Sequence, residues 1–236
     1  VKMKQRPLSA ILAIALLAAA SVAQASSHEE RSLRDTVHAS DLILVGEVID
    51  IDESEGIKSG EALTRISVQV ERVLRGDAAK RGDMFEIVHR GGMRDDGFGE
   101  AFSSKPVLTV GDRYVMSLVA DFRVMPFIGS SKGLMRVANV DGRDIVVDEA
   151  GRAIVASATL GLMPGPRVAD SFHERIEKRH VNALNRAEVS REKMAQTTDA
   201  TQVFAALEQI ALAAPPPKRT HTKRMPLPMP RAGKTD

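Results

Sequence analysis

The 236-residue chain has no cysteine, no tryptophan and a single tyrosine, Tyr114. Without cysteine there are no disulfide staples and no lipid anchor on a cleavage-site thiol. Stability must then come from an apolar core, and a chain of this length with 43% hydrophobic residues can build one. Aromatics make up 3% of the residues. The exposed ring platforms that stack sugars or single-stranded nucleic acid are therefore in short supply. Phe85, Phe122 and Phe127 read as core residues instead. Beyond the N-terminal region, no run is apolar enough to span a bilayer, which takes about 20 residues.

What the N-terminus does have is an export pattern. Lys2, Lys4 and Arg6 form a short basic region, Leu8 to Ala20 an apolar run, and Ala23 and Ala25 an A-x-A cleavage site. Residues 1–25 read as a cleavable signal peptide, so the expected location is periplasmic or extracellular and the mature chain begins near Ser26. Cleavage changes the charge balance. The whole chain carries 33 basic and 31 acidic side chains, and the signal peptide takes three basic ones with it. From Pro215 onward there are six Lys or Arg against Asp236, which leaves 24 basic and 30 acidic side chains between residues 26 and 214. An acidic body with a basic tail is a poor footprint for nucleic-acid binding.

Hydrophobic periodicity divides the mature chain. Glu29 to Ser40 reads as a short helix, with Leu33 and Val37 on one face. Leu42 to Ile51 reads as a strand, continuous in its first half and alternating in its second, with Gly46 marking a bulge or bend. Leu63 to Leu74 reads as a second long strand, alternating from Arg65 to Glu71. Ile66, Val68 and Val70 point one way and Gln69 and Glu71 the other. Strands follow at Met84 to His89, Tyr114 to Ala120, Gly133 to Val140, Asp144 to Asp148 and Arg152 to Ala156. Asp141-Gly142 is a hairpin signal between two of them. Strands at this spacing without intervening helices predict a mainly β fold, a small antiparallel Greek-key barrel or sandwich over residues 26–160.

After the Gly- and Pro-rich stretch 161–166 the period becomes helical. Ser171-Phe172-His173-Glu174 has capping-box form, and a second helix is expected from Asp199 to Ala213. Residues 167–214 thus read as a C-terminal helical extension. Residues 215–236, with six prolines, read as a disordered basic tail able to attract an anionic surface.

Four segments carry a resemblance: Ala39 to Val48, Val68 to Gly76, Val110 to Val115 and Gly129 to Val137. In this order they resemble an exported bacterial domain of unknown function, found alone or beside matrixin-type metalloproteases. The pattern is distantly similar to netrin-like modules and tissue inhibitors of metalloproteinases. That resemblance implies a five-stranded Greek-key barrel of OB type over residues 36–156. It brings no catalytic residue. The inhibitors' N-terminal cysteine and disulfides have no counterpart in this chain.

Three groups of residues are candidates for chemistry. Gly129-Ser130-Ser131-Lys132-Gly133 fits G-x-S-x-G, which would make Ser131 a nucleophile, but it precedes a strand where an elbow precedes a helix, so a tight turn explains it better. His173, Glu177 and His180 share one helix face and offer two imidazoles and a carboxylate to a metal. Arg175, Lys178 and Arg179 crowd the same turns with positive charge, which favours a solvated polar face with no metal. The long loop 90–100, with Asp95 and Asp96 inside it and His89 and Arg90 at its entrance, is the first place to look for binding. Calcium is disfavoured there, because alternating oxygen ligands are missing.

These readings converge on a non-enzymatic exported module that binds or scaffolds an unknown protein or envelope component, needs no cofactor and has no transmembrane segment after signal cleavage. The alternatives are an envelope serine hydrolase using Ser131 and a protease-associated or inhibitory module.

Overall fold

The computed structural model describes residues 32–53, 62–93, 99–100, 108–119, 126–129, 133–157, 161–172, 174–175 and 191–215. Residues 1–31, which include the expected signal peptide, and the residues after Pro215 lie outside the described residues.

A short helix, α1 (Leu33–Ala39), opens the domain. Ser32 starts it with a reciprocal capping box, its side chain accepting from the Asp35 N–H while Asp35 accepts from the Ser32 N–H. β1 (Leu42–Asp52) follows. Its continuous apolar half is buried on both faces: Leu42 and Leu44 enter one core cluster, Ile43 and Val45 another. Past Gly46 only one face stays covered, and the sequence alternates accordingly, with Val48 buried and Ile49 exposed.

β2 (Leu63–Arg75) pairs antiparallel with β1, and β3 (Met84–Arg90) with β2. Ile66, Val68 and Val70 are buried, as the period-two pattern predicts, while Gln69 and Glu71 lie on the other face. The connection from β3 contains a small hairpin of β4 (Gly92–Met93) and β5 (Gly99–Glu100) inside what the sequence presents as a plain loop. The chain then returns to lay β6 (Arg113–Leu118) beside β1, on the side away from β2. The spatial order 3-2-1-6 is a Greek key.

From β6 the sheet continues as a meander through β7 (Leu134–Val140), β8 (Arg143–Val147), β9 (Arg152–Ser157) and β10 (Gly161–Arg167). Asp141 and Gly142 join β7 to β8 with φ of 51° and 80°, the paired positive values of a type I′ turn. The mainly β, antiparallel class with a C-terminal helix is as expected. Closure into a barrel is not: all eight main strands form one open sheet with β10 and β3 outermost. β10 coincides with the Gly- and Pro-rich stretch 161–166, for which the sequence predicts no strand. It pairs with β9, but Pro164 and Pro166 lack N–H donors and its register breaks between Pro164 and Arg167, which suits an edge strand.

Helices cover one face of the sheet in place of closure. α2 (Arg191–Ala195) precedes α3 (Ala200–Ala213), which Asp199 caps by accepting from the Thr201 N–H. α3 lays Val203, Phe204, Leu207 and Ala211 against Ile43, Val45 and Val115, and Val37 of α1 joins the same cluster. Arg75 ties both helix ends to the sheet: its guanidinium donates to the carbonyls of Val37, Ala211 and Pro215 at 3.4, 3.3 and 3.1 Å. Among the described residues no helix is long and apolar enough to cross a membrane.

Candidate functional site

A bulge in the β1–β2 pair lies beside an open groove. Between Val45↔Arg72 and Gly46↔Val70 the β1–β2 register skips Glu71, leaving it opposite no β1 residue. Gly46 permits this close approach. A Cβ there would sit 2.5 Å from Val68 Cγ1 and 2.7 Å from the Gln69 carbonyl oxygen. Tyr114 stands directly across from Gly46 on β6, so a large ring faces the residue that lacks a side chain.

Glu71 reaches over β1 to Arg113 on β6. Arg113 Nε and Nη2 donate to its two carboxylate oxygens, both at 2.8 Å. The remaining Nη1 donates to Asp144 of β8 at 2.5 Å, and Asn139 donates to the other Asp144 oxygen at 3.2 Å. One arginine thus links β2, β6 and β8. The Arg113 hydrogen bond holds the Asp144 carboxyl below its ordinary range, and Glu71 foremost raises the basicity of Arg113. These side chains are about one-third exposed, so the network orients strands more than it stabilises them.

Beside this network lies an open groove of about 1150 Å³. Val45, Val70 and Val73 contribute apolar surface, and Glu71 and Arg113 polar surface. The turn 76–82 forms one wall and Thr201 and Phe204 of α3 another. Backbone pairing fixes the turn: Gly82 N–H donates to the Val70 carbonyl and Val70 N–H to that of Asp83. Lys80 and Arg81 stand exposed at the rim. Arg72 fastens the helix wall through a bidentate pair to Glu208, at 2.9 and 2.8 Å.

A second polar cluster sits at the start of β6. Asp112 accepts from the Tyr114 hydroxyl at 3.2 Å and pairs with Arg175 at 2.6 Å. Tyr114 is 1% exposed and meets Phe172 edge to face, with ring centroids 6.2 Å apart. Burial first, then the Asp112 charge, pushes the phenol up to about 12. Arg136, paired with Tyr114 across the β6–β7 ladder, is buried beside them. The expected capping box brings Arg175 into place: the Glu174 N–H donates to Ser171 Oγ at 3.2 Å and Glu174 accepts from the Ser171 N–H at 2.9 Å.

Of the candidates named from sequence, His89 and Arg90 are among the described residues. His89 is 1% exposed, with Nδ1 2.8 Å from the Arg90 carbonyl oxygen, and Arg90 is half-buried at the same strand end. Asp95 and Asp96 lie outside the described residues. The loop's root is held by Thr64, whose hydroxyl donates to the Gly91 carbonyl at 2.6 Å. Ser131 also lies outside them, although its flanking glycines do not. Gly129 has φ of 60°, and a Cβ on Gly133 would fall 2.4 Å from the Ile128 carbonyl oxygen, so backbone packing accounts for both. His173, Glu177 and His180 are likewise outside the described residues, and within those described no three His, Asp or Glu side chains form a metal-ligating group.

Glu71, Arg72 and Arg113 escape a reading by periodicity. Glu71 and Arg113 look like the solvated members of alternating strands, and Glu208 like an exposed helix residue. The one available signal was Arg113 next to Tyr114 in a turn-to-strand segment, a long cation set where a β strand enters the core. No family model, no curated protein and no solved structure matches the chain.

Proposed function

We propose that the chain is an exported, non-enzymatic binding module, active in the periplasm or outside the cell, whose docking surface is the groove between β2, the turn 76–82 and α3. The observation that carries this reading is the groove itself, open, part apolar and part charged, on the paired strands β1 and β2. The carboxylates of Glu71 and Glu208 are each gripped by an arginine fork, an arrangement that favours positioning over proton transfer. Lys80 and Arg81 at the rim supply unburied charge to orient a partner. The ligand is an unknown protein or envelope component. The export pattern at residues 1–25 supports a location where the module would meet one.

In-cell photo-crosslinking tests this reading. A crosslinking side chain is placed at Lys80 or Arg81 in the producing cell, and at exposed Arg143 on β8 as the control. Discrete adducts from the two groove positions, absent at Arg143, are expected on a processed protein whose first residue lies near Ser26. Adducts at all three positions alike, or at none, would contradict the groove; retention of Lys2 peptides in the envelope fraction would contradict export.

A further inference from the structure

Arg136 occupies the middle of β7 with its guanidinium enclosed; the residue is 9% exposed. An arginine keeps its proton in a protein, so its charge and its five N–H donors have to be met by acceptors. Among the described residues one hydrogen bond does so, a long one of 3.4 Å from Nη2 to the Asp170 backbone carbonyl. The Nε–H is buried and finds no acceptor among the described residues.

The acid that acts most strongly on Arg136 is Asp112, and its carboxylate is engaged. Arg175 donates to it from Nη2 at 3.0 Å and sets Nη1 2.6 Å away as an ion pair without hydrogen-bond geometry, and the Tyr114 hydroxyl donates a further bond. Arg175 also brings a second positive charge toward Arg136. Burial first, and that charge second, lower the pKa of Arg136, with Asp112, Tyr114 and Asp170 offsetting part of the effect. A buried cation with an idle donor beside another cation is costly unless something anionic completes it.

We propose that Arg136 and Arg175 together form a binding site for a single oxyanion group, a carboxylate or a tetrahedral sulfate- or phosphate-like anion, received at the idle Nε–H of Arg136. Nε and the neighbouring Nη of a guanidinium form a fork that matches two oxygens of such a group. Arg175 is the more exposed of the two arginines, its side chain 24% exposed. The site is separate from the groove and does not depend on it.

Tyr114, the chain's single tyrosine, shares Asp112 with Arg175 and is therefore a built-in fluorescence reporter. The full mature protein, in a zwitterionic buffer of low ionic strength at pH 8, is titrated separately with sodium sulfate and sodium acetate. Tyr114 fluorescence and Tm are read together. A saturable change with a millimolar midpoint is expected, with a Tm rise of about 5–10 °C at roughly a hundred times that midpoint. A response to both salts identifies a general oxyanion site, and a response to sulfate alone a tetrahedral one. Arg136→Gln should weaken the response at least tenfold, and Arg143→Gln should leave it unchanged. If Arg136→Gln does not fold, Arg136→Lys serves, since it keeps the charge and removes the Nε–H. An equal response in wild type and in the Arg136 variant, or no response to either anion, overturns the proposal and leaves the donor to an ordered water.

Discussion

Replacing Leu207 with alanine is expected to cost about 2–5 kcal/mol and to lower Tm by about 5–15 °C, a core-sized penalty for a residue near the C-terminus of the described chain. Leu207 is fully buried, in the cluster that joins α3 to β1, β6 and β7. Alanine there removes most of a side chain and leaves a cavity that the strands beneath, held by their ladders, cannot close. Leu212, five residues on in the same helix, is 86% exposed. Leu212→Ala should shift stability by no more than about 0.5 kcal/mol. Urea denaturation of the two variants checks the contrast. Similar values for both would mean that the helix does not lie on the sheet as described.

Alkaline pH should remove up to about 3 kcal/mol of stability through Tyr114 alone. Its phenol is raised to about 12 in the fold, from an ordinary value of about 10, chiefly by burial and then by the Asp112 charge. The folded state keeps a proton that the unfolded chain releases between those values. The contribution is therefore complete below about pH 10 and is lost as pH rises toward 12. Because the chain has one tyrosine and no tryptophan, near-ultraviolet absorbance of tyrosinate follows this side chain without overlap. Lysines titrate in the same window, so the quantity to measure is the difference between wild type and Tyr114→Phe. A midpoint near 10 in the native protein, or an identical alkaline loss in Tyr114→Phe, would contradict the buried pair with Asp112.

The strands were legible in the sequence because most bury one face and leave the other to solvent. Val68 and Val70 against Gln69 and Glu71 are the plainest case, and Asp141-Gly142 marked its hairpin by conformation alone. Helix caps were legible too. Ser171 with Glu174 is a local pair of hydrogen bonds, written within four residues. Two things were hidden. β10 combines Gly161, Pro164, Gly165 and Pro166, residues with low strand propensity, and pairing with β9 overrides that preference. The ion pairs were hidden because their partners are far apart in sequence: Arg72 meets Glu208 and Arg175 meets Asp112 only after the sheet and helices are assembled. The sheet stays open where the pattern predicts a barrel for a related reason. Alternation gives the number of buried faces and does not say whether a helix or another strand covers them.

α3 belongs to the same folding unit as the sheet, which gives the groove two fixed walls. Native-state hydrogen exchange reads this directly. The amides of Leu207 and Ala211 should be as protected as those of Leu44 and Val45 in β1, all opening only with global unfolding. Exchange in α3 faster than in β1 by about a hundredfold or more would show a helix that detaches on its own, and a groove without its second wall.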